Sequence, residues 1–461
     1  MKNTILGAAV AGLFATGAGA VEWNPDGVGQ ALIYPYYTVQ KSDGGNSWNT
    51  YLSVVNPTAD AKALRVHVRE GRNGRAALDF NLYLAPNDVW TGAIIPSTTA
   101  PDSPALLISA DISCTDPFIG LKGVVLSTAD FTGSRADAYG AGLDRTREGY
   151  VEMLEMATLT GTTGANVDFK PYWVPANCAA VRAPGGVASA DVRAPSGGLS
   201  GTETLINVNS GMDMGMNAEA LANLSQQAFF RPPSDPYPDF DAAEVDPVTH
   251  VEANGRHYRL LWSRGVDAVS ASLMRQEIDN EYVLDATTQS SSAWILTFPT
   301  RRFYATNAAP FEGANGCVDV PLVPYDRESR VQALGARPTA CYAASDLDWS
   351  GASLFGSASN FAITQAIASA GWARASLDRR ADGASRSNLR SLPGSTAWDL
   401  ATGAVTTAAF DVHGLPVLGF AARSFKNGTL QCKWGSGTQA CQGNYGGNFM
   451  HRYKRSVTPA Q

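Results

Sequence analysis

The sequence predicts a mainly β protein: antiparallel β-sandwich domains, Ig-like or jelly-roll-like, with long loops and one or two short helices. Three observations carry that reading. Between Tyr51 and Ile95, short stretches of alternating apolar and polar residues recur, separated by turn residues, as in strands with one buried face. Glycine and proline are abundant, 45 and 25 residues in a chain of 461, which suits many turns and few long helices. Neither a repeat of about 20–50 residues nor a heptad run is visible, which argues against solenoids, propellers and coiled coils.

Taken in order, the elements begin with an export signal. Lys2 supplies a positive start, Ile5 to Thr16 an apolar run, and Ala18-Gly19-Ala20 a small-residue cleavage site before Val21. This is the pattern of a secretory signal peptide over residues 1–20. The run falls short of the ~20 residues a membrane-spanning helix needs. Neither a twin-arginine pair nor a lipid-anchoring cysteine accompanies it.

Strands follow. Tyr51–Val55 is one, closed by Asn56-Pro57. Ala63 to Arg69 alternates, which points Leu64, Val66 and Val68 inward and Arg65, His67 and Arg69 outward. Asn73-Gly74 supplies a tight hairpin turn. The return strand points Phe80, Leu82 and Leu84 inward and Asp79, Asn81 and Tyr83 outward, and Pro86-Asn87-Asp88 turns the chain into Val89–Ile95. Later strands are expected at Ser292–Phe298, Gly371–Leu377 and Leu415–Phe425. Helices are expected at Asn217–Phe230, with Asn217 as cap and Leu221, Leu224 and Ala228 on one face, and around Val269–Ile278.

Breaks lie at Ala183–Gly198, rich in Gly, Pro and Ser, at the acidic, proline-rich Pro232–Pro247, and at Arg379–Ser395. They suggest an N-terminal β-sandwich domain over 21–195, a middle β-rich region with short helices over 196–310, and a C-terminal β-rich region with disulfides over 311–461.

The six cysteines, Cys114, Cys178, Cys317, Cys341, Cys432 and Cys441, all follow the signal. An even count in an exported chain suggests disulfides. The favoured pairing joins sequence neighbours: Cys432 with Cys441, Cys317 with Cys341, and Cys114 with Cys178. A CxxC motif is absent, and no histidine sits at zinc spacing from a cysteine.

Several phrases carry a resemblance that spans most of the chain. They are Gly29-Gln30-Ala31-Leu32-Ile33-Tyr34-Pro35-Tyr36-Tyr37, Asn280-Glu281-Tyr282-Val283-Leu284-Asp285, Trp294 through Tyr304, and Gly414-Leu415-Pro416-Val417-Leu418-Gly419-Phe420. In them the chain resembles a group of uncharacterised exported or cell-surface bacterial proteins. The resemblance implies one architecture throughout rather than a mosaic with an added enzyme. It implies no activity and no site residues.

Charge and motifs narrow the function. The formal net charge is -7, and only eight of the 35 basic residues are lysine, so a nucleic-acid partner is not expected. The chain holds no GxSxG elbow, HExxH, P-loop, GxGxxG or EF-hand loop. Five histidines occur, and His250 and His257 flank Glu252 in a way that could gather them on a hairpin as a metal or acid–base group; loop or strand-surface histidines are the plainer reading. Glu152 and Glu155 would share a face on a helix, as a glycosidase pair might, but oppose each other on the strand that their neighbours favour.

Asp235, Asp239 and Asp241, with Glu244 and Asp246 nearby, are a candidate calcium site, since calcium takes six to eight hard oxygens. Pro232, Pro233 and Pro236 make the same stretch a stiff surface loop. Tyr34, Tyr36 and Tyr37 adjoin Leu32 and Ile33 and read as core, whereas Trp434, between the last two cysteines in a polar, Gly-rich hairpin, is a candidate binding residue.

The expectation is therefore an exported, non-enzymatic, cell-surface or extracellular protein of structural or adhesion type. It would act through β-sheet surfaces on cell-surface or glycan components or on itself, with no cofactor beyond possible calcium and no transmembrane helix. The alternative is a polysaccharide-binding or polysaccharide-active β-sandwich. A membrane β-barrel fits poorly, because prolines and cysteines break long lipid-facing strands.

Overall fold

The computed structural model describes residues 19–461 except 43–46, 101, 170–172, 305–307, 313–316, 335–337, 350, 352, 364–366, 381 and 427, and the backbone alone of Asn360, Thr429, Leu430, Trp434 and Gln442. The signal peptide expected over 1–20 therefore lies almost wholly outside the described residues. The chain is mainly β, in several antiparallel sheets of the β-sandwich type.

Two sheets face each other in the N-terminal half. The larger runs Glu22–Asn24, Glu219–Ala222, Ala31–Thr38, Glu148–Leu159, Ala61–Glu70, Ala76–Leu84, Cys114–Asp116. The smaller runs Met212–Asn217, Ser200–Asn207, Asn49–Asn56, Asp88–Pro96, Ala105–Ile108, Val124–Val125. Leu64, Val66, Val68, Phe80 and Leu82 of the first meet Leu52, Val54, Trp90, Ile94 and Leu107 of the second in one core. Hence the inward residues expected from alternation are those that fill the sandwich. The strands of 200–222 complete these two sheets, so the N-terminal unit continues past residue 195.

The outward face differs from the half-buried strand that alternation predicts. Every residue of Ala61–Glu70 is buried. The stretch from Arg231 to Asp241 lies over the second face as a strap. Arg65 donates to the carbonyls of Arg231, Pro232 and Asp235 (3.3, 2.8 and 3.0 Å), and His67 Nε2 lies 2.8 Å from the carbonyl of Pro238. Proline-rich backbone offers carbonyls with few competing donors, and the polar face supplies the donors. Period-two alternation marks the two faces of a strand but cannot say what covers the polar one.

The C-terminal half repeats the plan. A five-stranded sheet, Asn360–Ala362, Ala344–Asp348, Ser291–Thr297, Phe420–Phe425, Tyr445–Met450, faces a four-stranded sheet, Leu322–Asp326, Ala370–Ser376, Glu277–Val283, Arg452–Lys454. Trp294, Leu296, Leu347 and Trp349 pack there on Ile278, Tyr282, Ala373 and Ala375. The expected strand Leu415–Phe425 is interrupted, with Leu415–Pro416 pairing Met274–Arg275 and Phe420–Phe425 entering the larger sheet.

A further cluster joins the halves, running from Val21 and Tyr36 to Phe420 and Val457. Along the same seam, the buried Glu148 carboxylate accepts from Tyr36, Ser357, Ser359 and the backbone of Ala358. Burial raises its pKa, opposed by those hydroxyls.

Helices are short. The helix expected at Asn217–Phe230 does not form. Glu219–Ala222 is a strand paired on both sides, with Ala31–Thr38 and Glu22–Asn24, and Asn223 ends it at a φ of 53°. Two rows of strand hydrogen bonds outweigh a weak helical periodicity. The second helix forms earlier than expected, at Gly265–Leu273, because Met274 turns into extended backbone. Among the described residues no helix is long and apolar enough to cross a membrane.

The cysteines pair as the neighbour rule expects: Cys114 with Cys178, Cys317 with Cys341, Cys432 with Cys441.

Candidate functional site

A four-stranded sheet, Val248–Ala253, Arg256–Leu261, Ser395–Asp399, Val405–Ala408, is separate from both sandwiches and is bridged at its first strand to Val21, beside the strand Glu22–Asn24. Asn254 and Gly255, at φ of 52° and 72°, form the tight turn of its first hairpin. One face is core, with Val251, Tyr258 and Ala397 each about 1% exposed. The register fixes the other face as two cross-strand rows: Glu252, His257, Trp398, Val405, and His250, Arg259, Thr396, Thr407. Trp398 is 46% exposed and Val405 66%.

The hairpin end of this face forms one wall of a cleft of about 740 Å3, closed opposite by Glu22–Pro25 and Tyr453–Arg455. This opposite wall is aromatic and cationic, with Arg275 packed behind it. Trp23 and Tyr453 meet edge to face at 5.6 Å, and Trp23 Nε1 donates to Glu219. The guanidinium of Arg275 lies 3.9 Å from the Tyr453 ring centre, and that of Arg455 lies 5.6 Å from the Trp23 ring centre. Arg455 is held by the carbonyl of Ser272.

Burial and neighbouring charges set the ionisation of the groups around the cleft. His250 is pushed down to about 4 by burial, then by His257 and Arg259, so its ring is neutral at neutral pH. The rings of His250 and His257 are 5.0 Å apart, and His257 Nδ1 is 3.7 Å from Glu252 Oε1. Burial raises the Glu22 carboxyl, with His257 opposing and Glu252 adding to the rise. Burial, then the neighbouring Arg455, pushes Arg275 down to about 9. Among the described residues no three His, Cys, Asp or Glu side chains are placed to hold a metal ion.

The gathering of His250, His257 and Glu252 on a hairpin is thus realised. Glu152 and Glu155 lie on a strand, facing opposite ways, each on its own cation: Arg69 at 3.1 Å and Lys62 at 2.8 Å. Tyr34, Tyr36 and Tyr37 are core.

The acidic residues considered for calcium are separated by arginines. Asp239 pairs with Arg302 (3.1 Å), Asp241 holds Arg264 through both oxygens, and Asp235 lies 3.9 Å from Arg231. Calcium needs convergent oxygens, whereas Asp239 and Asp241 tie the strap to arginines outside it and Asp235 pairs within it. Trp434 ends the strand Thr429–Trp434 of the last disulfide hairpin, and its side chain lies outside the described residues.

Sequence reading missed Trp398, Trp23, Tyr453 and Arg455. Asn254-Gly255 between alternating stretches was a legible hairpin signal. Alternation in Ser395-Thr396-Ala397-Trp398-Asp399 was legible too, but which strand lies beside it is not a local property. No protein-family model, curated protein or solved structure matches the chain.

Proposed function

We propose that this is an exported, non-enzymatic bacterial protein of the cell surface or extracellular space, of adhesion type, that engages its partner through the open face of the four-stranded sheet. The observation that carries this reading is that face: an exposed tryptophan and valine on a rigid sheet whose other side is core. Three disulfides support folding in an oxidising compartment. Exposed apolar residues on a fixed scaffold are the usual anchors of recognition.

The test is attachment. Labelled mature protein is incubated with whole cells and isolated envelopes, and its self-association is followed by light scattering. Retention on envelopes, or concentration-dependent assembly, that is lost in Trp398→Ala/Val405→Lys supports the proposal. A monomer that is retained by nothing, or one that turns over a substrate, overturns it. So does natural protein recovered from cytosol with six free thiols.

A further inference from the structure

We propose that the open face and the adjoining cleft form one binding site for a neutral polysaccharide, with Trp398 as its stacking platform. This inference rests on the surface-binding reading above and names the ligand class.

Three observations converge on it. The first is the pattern of the face. Trp398 and Val405 form an apolar strip flanked by hydrogen-bonding side chains, with His257 and Glu252 in the same row and Arg259, Thr396 and Thr407 in the next. A pyranose ring presents a face of C–H groups and a rim of hydroxyls, and so asks for an aromatic surface edged by donors and acceptors. A protein partner would ask for a wider apolar centre, which two apolar side chains do not provide.

The second is charge. The two rows hold one carboxylate, Glu252, beside His257 at 3.7 Å, and one guanidinium, Arg259. The cleft adds Glu22 against Lys454 and Arg455. Charges of both signs are thus few and mixed at the cleft end, and the Trp398–Val405 end of the face carries none. A polyanion or polycation would find no run of complementary charge here, whereas an uncharged polyol meets hydrogen-bond partners throughout.

The third is shape and rigidity. Four strands give three inter-strand steps, about 14 Å across, and the rows lead at the Glu252 end into the cleft of about 740 Å3. The surface therefore has the length for a chain rather than one ring. Val251, Tyr258 and Ala397 anchor it from behind, so binding does not have to order it first.

The experiment uses the full mature chain. Co-sedimentation is measured with insoluble cellulose, chitin and β-1,3-glucan, with polygalacturonate and heparin gels as charged controls, followed by calorimetry with a soluble oligomer of whichever neutral polymer binds. The expected result is retention on a neutral polymer that resists added salt, weakened at least about tenfold, or about 1.4 kcal/mol, in Trp398→Ala and partly restored in Trp398→Phe. Because Trp398 is half-exposed, both variants are expected to melt with the parent chain, and Thr407→Lys gives a second variant on the same face with no loss of core.

Retention on none of the neutral polymers, retention indifferent to Trp398, or retention only on charged gels in a salt-sensitive manner overturns the inference. If envelope attachment depends on Trp398 while all neutral polymers fail, the glycan assignment falls and the surface-binding reading stands.

Discussion

Replacing Lys62 by methionine isolates one buried charge. Lys62 and Glu155 are both fully buried, at the rim of the N-terminal sandwich. Lys62 Nζ donates to Glu155 Oε1 at 2.8 Å and to Ser196 Oγ at 2.7 Å. Glu155 also accepts from the backbone of Ser196 and Gly197 at 3.0 and 2.8 Å. Methionine preserves the stem's packing and removes the cation, leaving a buried carboxylate held by two amides and, at 3.4 Å, the Thr158 hydroxyl. Removing one partner of such a pair costs about 3–5 kcal/mol.

The sign with pH follows from Glu155. Burial raises its pKa, and Lys62 opposes the rise. Without Lys62 the folded value climbs further above the unfolded one. A carboxyl raised on folding stabilises the fold when protonated, and that contribution is lost as pH rises through the folded value. The deficit in Lys62→Met is therefore greatest at neutral pH and shrinks as pH falls towards the unfolded value near 4. In Lys62→Met/Glu155→Gln the buried charge is gone while an amide oxygen still accepts a backbone N–H. We expect the double variant to recover about 1–3 kcal/mol relative to the single one. Urea denaturation at pH 7 and pH 4.5, followed by tryptophan fluorescence, measures both effects. A single variant within about 1 kcal/mol of the parent at pH 7, the cost of an exposed pair, would falsify the reasoning. So would a deficit that does not change with pH.

Two further outcomes are expected. His67 has acceptors at both ring nitrogens, Asp79 Oδ1 at 2.7 Å and the Pro238 carbonyl at 2.8 Å, so His67→Phe frees the Pro238 end of the strap, with Arg65 still on Arg231 to Asp235, at a cost of about 1–3 kcal/mol. Hydrogen exchange should rise over residues 231–241; unchanged protection there would show that the strap is held elsewhere. His250, pushed down to about 4, contributes stability above the unfolded value near 6.5 and loses it as pH falls towards 4. A ring titration by NMR with a midpoint at 6 or above would contradict the cleft geometry.

The legible part of this molecule was local. The strands at Ala61–Glu70, Ala76–Leu84 and Asp88–Pro96 were readable from period-two alternation, and their inward residues are the sandwich core. The cysteine pairs followed from order along the chain. The helix expected at 217–230 shows the limit, since Leu221, Leu224 and Ala228 at helical spacing were weaker than pairing to two strands 186 to 200 residues distant. The His250–Glu252–His257 group was found because a hairpin is itself local.

The composition, the alternation and the order of the cysteines determined a β-rich chain with disulfides and a set of half-readable strands, because each signal lies within a short stretch of chain. Tertiary structure alone decided that the acidic, proline-rich stretch straps a charged sheet face, and that Trp398 stands beside His257. Both depend on which segments meet across 140 residues or more. Such meetings are chosen by the summed burial and hydrogen bonding of the whole chain, which no short window of sequence contains.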